Sequence, residues 1–271
     1  MLVYGGAQAY YRDAFDETDF STAAGDANLR LHQIDAGHFF GDRVLDLDAR
    51  VGLDEVVSPV GIAFDHRGFG FSTFNGRWDV PTGAEDLKAG LDALGVKTAH
   101  VVGYSMGGPI ALVFNSRWPE MVRSLTLIDT FAKNHTHSKA RIEESEKCFR
   151  YMSMREYARQ YIATRLLPST PQSAVDELLS AICLCKKEAY LDVLRGILLP
   201  DFTEHCAKVK VPTLVLCGRH DLTTPVAFTN DLSRLITGAI ERIIPTGHLG
   251  CFDDPVEFNK PIIEFLDAQP R

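Results

Sequence analysis

The sequence has no long hydrophobic run, because no uninterrupted apolar stretch approaches the roughly 20 residues that a membrane-spanning helix requires. Residues 1–11 contain neither a basic segment nor a long apolar segment, so we expect no secretory signal there. The chain also has no excess of positive charge, since its formal net charge at pH 7 is −8. These absences argue against a nucleic-acid or membrane partner, and they predict a cytoplasmic protein.

Cysteine pairs and metal-ligand clusters are missing as well. None of the six cysteines belongs to a C-x-x-C pair, and Cys183 and Cys185 have the wrong spacing for a zinc knuckle. His135 and His137 have no further ligand at a useful spacing. The run Arg67-Gly68-Phe69-Gly70 is too short for a dinucleotide-binding fingerprint. We therefore predict reduced thiols, no metal and no cofactor.

Strand-like and helix-like segments alternate along most of the chain. Short apolar runs predict strands at 60–64, 99–102, 124–128, 211–217 and 239–244. Amphipathic or apolar patterns predict helices at 82–94, 109–118 and 256–268. Hydrophobic residues make up 45% of the sequence, enough for a sizeable core. The alternation predicts an α/β fold with a mostly parallel central sheet flanked by helices.

Two local patterns make more specific predictions. Residues 2–5 and 7–13 are predicted to be short strands joined at Gly5-Gly6, a glycine pair typical of hairpin turns. Thr82 and Glu85 have the spacing of a capping box, which predicts Thr82 as the N-cap of the helix that follows.

The alternation stops between residues 133 and 206. Two long helical patterns replace it, at 139–167 and 173–199. We predict that residues 1–132 and 207–271 form one α/β core, and that 133–206 is inserted into it as a helical cap. Aromatic and apolar side chains recur at helical spacing in this segment and predict an apolar roof over a pocket.

The stretch Gly103-Tyr104-Ser105-Met106-Gly107-Gly108 lies between a predicted strand and a predicted helix. This is the order that a nucleophile elbow requires, with the serine on a sharp turn above the sheet edge. Gly103 and Gly107 flank the serine because a Cβ at either position would collide with the neighbouring strand or helix. The pattern therefore predicts Ser105 as a nucleophile.

A serine hydroxyl needs a general base, and the base needs a group that orients it. His248 follows a predicted strand, and Asp221 and Asp129 follow two others. The carboxyl ends of parallel strands meet at one edge of the sheet, so these residues are expected to lie near Ser105. The chain order Ser–Asp–His and the spacing favour Asp221 as the acid, with Asp129 as the alternative.

The reaction also needs two N–H donors for the negative charge that develops on the carbonyl oxygen. The backbone N–H of Met106, the residue after the nucleophile, is predicted to be one. The loop at 36–41 is predicted to supply the other, through the backbone of His38 or, as second choice, of Phe39.

With these motifs in place, the chain resembles the α/β-hydrolase superfamily, in its capped esterase, lactonase and C–C hydrolase branch. The resembling segments are 65–72, 103–108, 218–221, 247–248 and 254–255. The resemblance implies the α/β-hydrolase fold with an inserted helical cap. One departure concerns the oxyanion loop, where family members usually have His-Gly and this chain has Ala36-Gly37.

These features together predict a serine hydrolase that cleaves a small to medium apolar ester or lactone through an acyl-enzyme on Ser105. One alternative is a C–C bond hydrolase or an enol-lactone hydrolase that acts on a diketone-like metabolite. Another is a slow-turnover ligand receptor or a biosynthetic cyclase on the same fold, which Ala36 leaves open. The expected partner is a small-molecule apolar carbonyl substrate, and the expected assembly is a monomer or a homodimer.

Overall fold

The computed structural model describes residues 2–5, 17–21, 28–35, 60–64, 66–67, 69, 74, 78–134 and 138–270. Its strands are β1 (Leu2–Gly5), β2 (Glu17–Ser21), β3 (Asn28–Asp35), β4 (Val60–Phe64), β5 (Ala99–Tyr104), β6 (Val122–Ile128), β7 (Thr213–Gly218) and β8 (Ile240–Ile244). Its α-helices are α1 (Val80–Ala93), α2 (Gly107–Arg117), α3 (Ser138–Tyr151), α4 (Met154–Ala163), α5 (Gln172–Ile182), α6 (Lys187–Leu198), α7 (Thr203–Cys206), α8 (Val226–Leu235), α9 (Gly250–Asp253) and α10 (Pro255–Asp267). A 3-10 helix, Pro119–Met121, precedes β6.

The larger sheet has the strand order β1–β5–β6–β7–β8, and each pair of neighbours is parallel. Parallel neighbours need crossover connections, and the helices between β5 and β8 provide them. Strands β2, β3 and β4 form a second, antiparallel sheet. The predicted α/β architecture, with a parallel sheet flanked by helices, is confirmed.

The buried core has two parts, one on each face of the parallel sheet. Side chains along a strand alternate between faces, so Val101 packs into one part and Val102 into the other. Helices α1 and α2 cover the first face, where Phe114 is fully buried, and α10 covers the second through Phe258. Among the described residues, none of the helices has the length and hydrophobicity that a membrane span requires.

Helix α1 begins before the position that the capping-box pattern indicated. It starts at Val80, and the Asp79 side chain caps it by accepting a hydrogen bond from Thr82 N at 2.8 Å. Pro81 lies in the first turn, where a missing N–H leaves no intrahelical bond unmade. The prediction of Thr82 as N-cap was wrong, because the Asp79 carboxylate caps the helix three residues earlier and Thr82 lies inside its first turn.

The strand predicted at 2–5 is present as β1, but its described partner is β5. The two strands pair in parallel, with Gly5 opposite Gly103. The predicted hairpin partner, residues 7–13, lies outside the described residues. Strand β1 therefore borders the strand that leads to Ser105 on the side away from β6.

Between β6 and β7 the chain forms several short helices instead of two long ones. Ser153 ends the first predicted helix, because it forms a capping box with Glu156 and starts α4. The second predicted helix is divided into α5 and α6, which are joined by residues 183–186. We call residues 133–206 the helical insertion; the structure describes it except for residues 135–137.

Candidate active site

Ser105 lies at the sharp turn between β5 and α2, with a φ angle of +51°. This region of backbone space is unfavourable for a residue with a Cβ, and such strain is found preferentially at functional sites. Two contacts hold the turn: Ser105 N donates to Ile128 O at 2.9 Å, and Thr130 Oγ1 donates to Ser105 O at 2.6 Å. The turn is thus tied to the end of the neighbouring strand β6.

Glycine at position 103 lets the helix after the turn approach the strand before it. A Cβ built on Gly103 would lie 2.6 Å from Gly107 O and 2.9 Å from the Ala111 side chain. Contacts that close are not tolerated without backbone movement, so the prediction of a glycine-dependent elbow agrees with the packing.

His248 reaches Ser105 from the loop that follows β8. Its Nε2 lies 3.0 Å from Ser105 Oγ, and its Nδ1 lies 2.7 Å from Asp221 Oδ2. The Tyr104 hydroxyl donates to the His248 carbonyl oxygen, and the two rings stack with centroids 6.0 Å apart. The structure therefore brings the three predicted side chains Ser105, His248 and Asp221 into one hydrogen-bonded line.

Asp221 is buried, and its carboxylate accepts four hydrogen bonds. Oδ1 accepts from Thr223 N at 2.6 Å and from Thr224 N at 3.0 Å. Oδ2 accepts from Thr224 Oγ1 at 2.5 Å as well as from the imidazole. Burial acts to raise the pKa of Asp221, but the bonds from His248 and Thr224 outweigh it and the pKa lies below its usual value. The carboxylate is therefore charged at neutral pH.

His248 is 1% exposed, and burial is the main reason why its pKa is lowered. The Asp221 carboxylate acts in the opposite direction, while the positive charges of Arg165 and Arg141 lower the pKa further. The imidazole is therefore neutral at pH 7. With Nδ1 donating its proton to Asp221, Nε2 is left as an acceptor for the serine hydroxyl.

Asp129, the alternative acid of the sequence analysis, lies at the end of β6 with a φ angle of +45°. Its Oδ1 accepts a hydrogen bond from Gly218 N at 2.7 Å. No hydrogen bond between Asp129 and His248 is present, whereas Asp221 bonds the imidazole directly. The geometry thus favours Asp221 over Asp129 as the partner of His248.

Of the two predicted oxyanion donors, Met106 lies within the described residues and His38 does not. Met106 is buried and precedes the first residue of α2, so its N–H belongs to the open N-terminal end of that helix. His38 lies outside the described residues, together with Ala36 and Phe39. Strand β3, which precedes them in the chain, belongs to the antiparallel sheet and does not pair with β5. The assignment of His38 stays a prediction.

Several supporting residues were not found by sequence reasoning. Thr224 stands three residues after Asp221, a spacing at which an aspartate side chain commonly bonds the backbone, so a local signal existed for it. Tyr104 and Thr130 had no such signal, because their partners lie far along the chain.

Asp253 joins the His248 loop to the helical insertion. Its Oδ2 accepts from Gly247 N at 2.7 Å, while its Oδ1 accepts from Leu167 N at 2.8 Å and from Thr170 Oγ1 at 2.5 Å. A backbone bond from Leu249 N to Arg165 O at 3.3 Å lies beside it. One carboxylate thus connects the residue before His248 with the helical insertion.

Comparison with known proteins extends these observations. Residues 61–153 match the family model of the alpha/beta hydrolase fold. The AB hydrolase superfamily protein YisY of Bacillus subtilis (strain 168) is 28% identical over 226 residues, which are 76% of this chain and 81% of YisY. The enol-lactonase from Burkholderia xenovorans LB400 superimposes with a TM-score of 0.78 at 18% identity, covering 93% of this chain and 100% of that one. A thermophilic esterase from Thermogutta terrifontis gives a TM-score of 0.76 at 22% identity, covering 93% of this chain and 98% of that one.

These similarities concern the segments on which the site is built. The family-model match includes α1, the elbow and β6, and it ends shortly before α4. The two structural neighbours extend the likeness to 93% of the chain, and at their low identities they speak for the fold alone. The chain has the α/β-hydrolase fold, and over residues 61–153 it is similar to the family that is defined by this fold.

Proposed function

We propose that this protein is a serine hydrolase that cleaves a small to medium apolar ester or lactone. The observation that carries the proposal is the line of hydrogen bonds from Ser105 Oγ to His248 at 3.0 Å and from His248 to Asp221 at 2.7 Å. A serine hydroxyl is a weak nucleophile by itself, and a neutral imidazole at this distance can accept its proton during attack. No cofactor is needed for this chemistry, because the three side chains supply nucleophile, base and acid.

In the first half-reaction, Ser105 Oγ attacks the carbonyl carbon while its proton passes to His248 Nε2. The imidazolium that forms is stabilised by the Asp221 carboxylate, whose other hydrogen bonds keep it ionised and fixed. His248 then protonates the leaving oxygen, and an acyl-enzyme on Ser105 remains. In the second half-reaction, His248 accepts a proton from water while the water oxygen attacks the acyl carbon. His248 then returns this proton to Ser105 Oγ as the bond between Oγ and the acyl carbon breaks, and the acid product leaves.

The negative charge on the carbonyl oxygen is proposed to be held by the backbone N–H of Met106 at the N-terminus of α2. His38 is the second donor proposed from the sequence. The end of β1 at Gly5 is the alternative that the strand order suggests, because β1 is the neighbour of β5. A His38→Pro substitution distinguishes them, since it removes the His38 N–H and leaves β1 unchanged.

We also propose that the helical insertion acts as a cap over the site, and that residues 1–132 and 207–271 form the core. The contacts of the helical insertion with Asp253 and Leu249 support a cap, because they attach the insertion to the loop that carries His248. A cap in this position would form one wall of the substrate pocket, so its side chains would determine which ester or lactone fits.

The proposal is tested by labelling with a fluorophosphonate probe and by hydrolysis of p-nitrophenyl esters. We expect stoichiometric labelling of Ser105, and a loss of about 10³-fold or more in kcat for Ser105→Ala. The exposed Ser169 is the matched control, and Ser169→Ala is expected to be labelled and active like the parent. Equal rates for Ser105→Ala and the parent would overturn the proposal.

One observation favours the second candidate, hydrolysis of an enol lactone or of a C–C bond in a diketone-like compound, with a substrate that carries negative charge. Arg165 and Arg141 both lower the pKa of His248, and within the described residues neither forms an ion pair with a carboxylate. Arg165 stacks on the Tyr161 ring at 3.7 Å, next to the contact between its own carbonyl and Leu249 N. Positive charge beside the imidazole would favour an anionic substrate electrostatically.

A pair of lactones that differ only in a carboxylate group tests this second candidate. We expect Arg165→Gln to raise KM for the anionic lactone several-fold and to leave KM for the neutral one unchanged. Arg159→Gln, an exposed arginine on α4, is the control. A panel that adds dienol diketones decides between ester and C–C cleavage, and tight binding without turnover would indicate a receptor or cyclase. The cytoplasmic location and the monomeric or homodimeric state stay predictions.

A further inference from the structure

A second carboxyl group is buried behind the proposed acid of the triad. Asp129 is fully buried and follows β6 in a strained backbone conformation, with φ at +45°. One carboxylate oxygen of Asp129, one of Asp221 and the Sγ atom of Cys217 all lie within 4.8 Å of one another. The proposed mechanism assigns no role to Asp129 or to Cys217.

The carboxyl groups of Asp221 and Asp129 differ in the hydrogen bonds that the protein donates to them. Asp221 accepts four hydrogen bonds, two of them from backbone N–H groups and one from the imidazole. Asp129 accepts one hydrogen bond from the backbone, from Gly218 N to Oδ1. Its Oδ2 is buried and makes no hydrogen bond with the described residues. Asp221 is therefore the group that the surroundings stabilise as an anion.

Two carboxylates this close in a dry site cannot both be ionised without a cation between them. The titratable groups that face Asp129 are Asp221, Cys217 and Cys251. Burial raises the pKa of both thiols, that of Cys251 to about 12, so neither carries charge at neutral pH. Burial, and next the Asp221 carboxylate, raise the pKa of Asp129 well above its usual value.

We propose that Asp129 is a positioning residue, a neutral carboxylic acid that keeps its proton on Oδ2 and donates it in a hydrogen bond to the Asp221 carboxylate. The buried Oδ2 then donates towards the Asp221 carboxylate, since one carboxyl oxygen of each residue lies within 4.8 Å of the other. The inference rests on the proposed role of Asp221. Its consequence is that part of the negative charge of Asp221 is drawn away from His248, which keeps the imidazole a weaker base than an isolated Asp–His pair would make it.

The first test is infrared spectroscopy, which does not depend on catalysis. We expect the wild-type protein at pH 7 to show the carbonyl stretch of a buried protonated carboxylic acid, and Asp129→Asn to lack it. Asp92→Asn, a change at an exposed aspartate of α1, is the control and should keep the band. Absence of the band in the wild-type protein would overturn the proposal.

The second test uses thermal stability at several pH values. Unfolding releases Asp129 into water, where it ionises above its ordinary pKa, so the folded state binds the extra proton and loses relative stability as pH rises. We expect the melting temperature of Asp129→Asn, measured relative to the wild-type value, to increase from pH 4 to pH 7. A difference that is constant with pH would contradict a proton on Asp129.

The third test is the pH dependence of kcat/KM. The amide of Asp129→Asn can accept from Gly218 N and donate to Asp221, so this variant is expected to keep both activity and the acid limb of the profile. Asp129→Leu removes the donor, and its acid limb is expected to shift to higher pH, because Asp221 then supports the imidazolium more strongly. A purely structural role would lower kcat in Asp129→Leu without moving that limb.

Two results would assign another role to Asp129 and overturn the proposal. Inactivation by Asp129→Asn with full activity of Asp221→Asn would make Asp129 an ionised triad acid. A stoichiometric divalent metal in the purified protein that is lost in Asp129→Asn would make the cluster a cation site. If Ser105→Ala proved fully active, the proposed function would fail, but the infrared band and the pH-dependent stability would still report the proton on Asp129.

Discussion

The carboxyl edge of the parallel sheet and the helical insertion are stabilised by different kinds of contact. At the edge, Asp221 and His248 are buried and fixed by backbone groups or by residues on neighbouring strands. In the insertion, side chains do most of this work: Lys187 Nζ donates to Phe149 O at 3.1 Å and to Met152 O at 2.6 Å, while Tyr151 is 83% exposed. The comparison teaches that the side chains of the candidate site are held by hydrogen-bonded backbone, whereas the insertion is held largely through its own side chains.

The largest expected difference between the regions is in their ion pairs. Arg67 donates to Asp86 at 2.6 and 2.8 Å with both side chains buried, while Arg195 of the insertion bonds Glu146 and Asp192 at the surface. Arg67→Met is expected to lower the free energy of unfolding by about 3–5 kcal/mol, because it removes the cation that compensates the buried Asp86 carboxylate. Arg195→Met is expected to lower it by less than about 1 kcal/mol.

Urea denaturation of both variants measures this contrast. The double variant Arg67→Met/Asp86→Leu is the control for the mechanism, since it removes both charges and should recover most of the lost stability. Equal costs for Arg67→Met and Arg195→Met would break the comparison between core and insertion.

The next effect concerns the accuracy of the elbow. Gly103→Ala forces a Cβ against Gly107 O, so we expect Ser105 to be displaced and kcat/KM to fall by about 10²-fold. Gly95→Ala is the matched control: Gly95 has a φ of +69°, but no atom lies within 4 Å of the added Cβ. It is expected to lower stability by about 1 kcal/mol and to leave kcat/KM unchanged. Steady-state kinetics decides, and a fully active Gly103→Ala variant would show that the elbow tolerates rearrangement.

Acid is expected to weaken the core through its buried histidines. Burial, and next the charge of Arg67, lower the pKa of His66 from 6.5 to about 4. Above pH 6.5 the full contribution to stability is present, and it is lost as the pH falls towards 4, because the unfolded chain binds the proton first. The shift corresponds to roughly 3 kcal/mol. His66→Gln is expected to flatten the fall in unfolding free energy between pH 6.5 and 4, and an unchanged slope would contradict this; His220→Gln, at an exposed histidine, is the control.

The smallest effect is expected where the two regions meet. Asp253→Asn keeps one acceptor oxygen but removes the charge that holds Gly247, Leu167 and Thr170. We therefore expect kcat/KM to fall about fivefold, which corresponds to about 1 kcal/mol of activation free energy. Asp254→Asn is the neighbouring control, because its carboxylate caps α10 and asparagine caps a helix nearly as well. Identical kinetics for both variants would show that the insertion positions itself without Asp253.

Local sequence patterns predicted the elements of the core well and their partners poorly. The strands at β4 to β8 and the helix α10 follow from hydrophobic periodicity and from turn residues, which act over a few positions. The partner of β1, the N-cap of α1 and the division of the insertion into short helices were missed. Each depends on contacts that periodicity does not contain, such as the hydrogen bond from Thr82 N to Asp79 that makes Asp79 the N-cap of α1.

The candidate site shows the same division. Ser105 was indicated by its glycine-flanked turn, and Asp221 and His248 by their positions after strands and by chain order. Asp129 was identified as a candidate acid, but the protonated role that we propose for it could not be read from the sequence, since it depends on an oxygen atom of Asp221 lying close by. Asp253 had no signal, because its partners are Gly247 and residues more than 80 positions earlier.

The sequence by itself determined where the strands, the turn at Ser105 and the candidate side chains occur, because those features rest on covalent neighbours and on short-range periodicity. Only the tertiary structure decided which carboxyl group meets His248, which one is left without a counter-charge, and how the insertion is attached to the His248 loop. These outcomes depend on distances between residues such as Ser105 and His248, 143 positions apart, and on burial that exists only once the chain has folded.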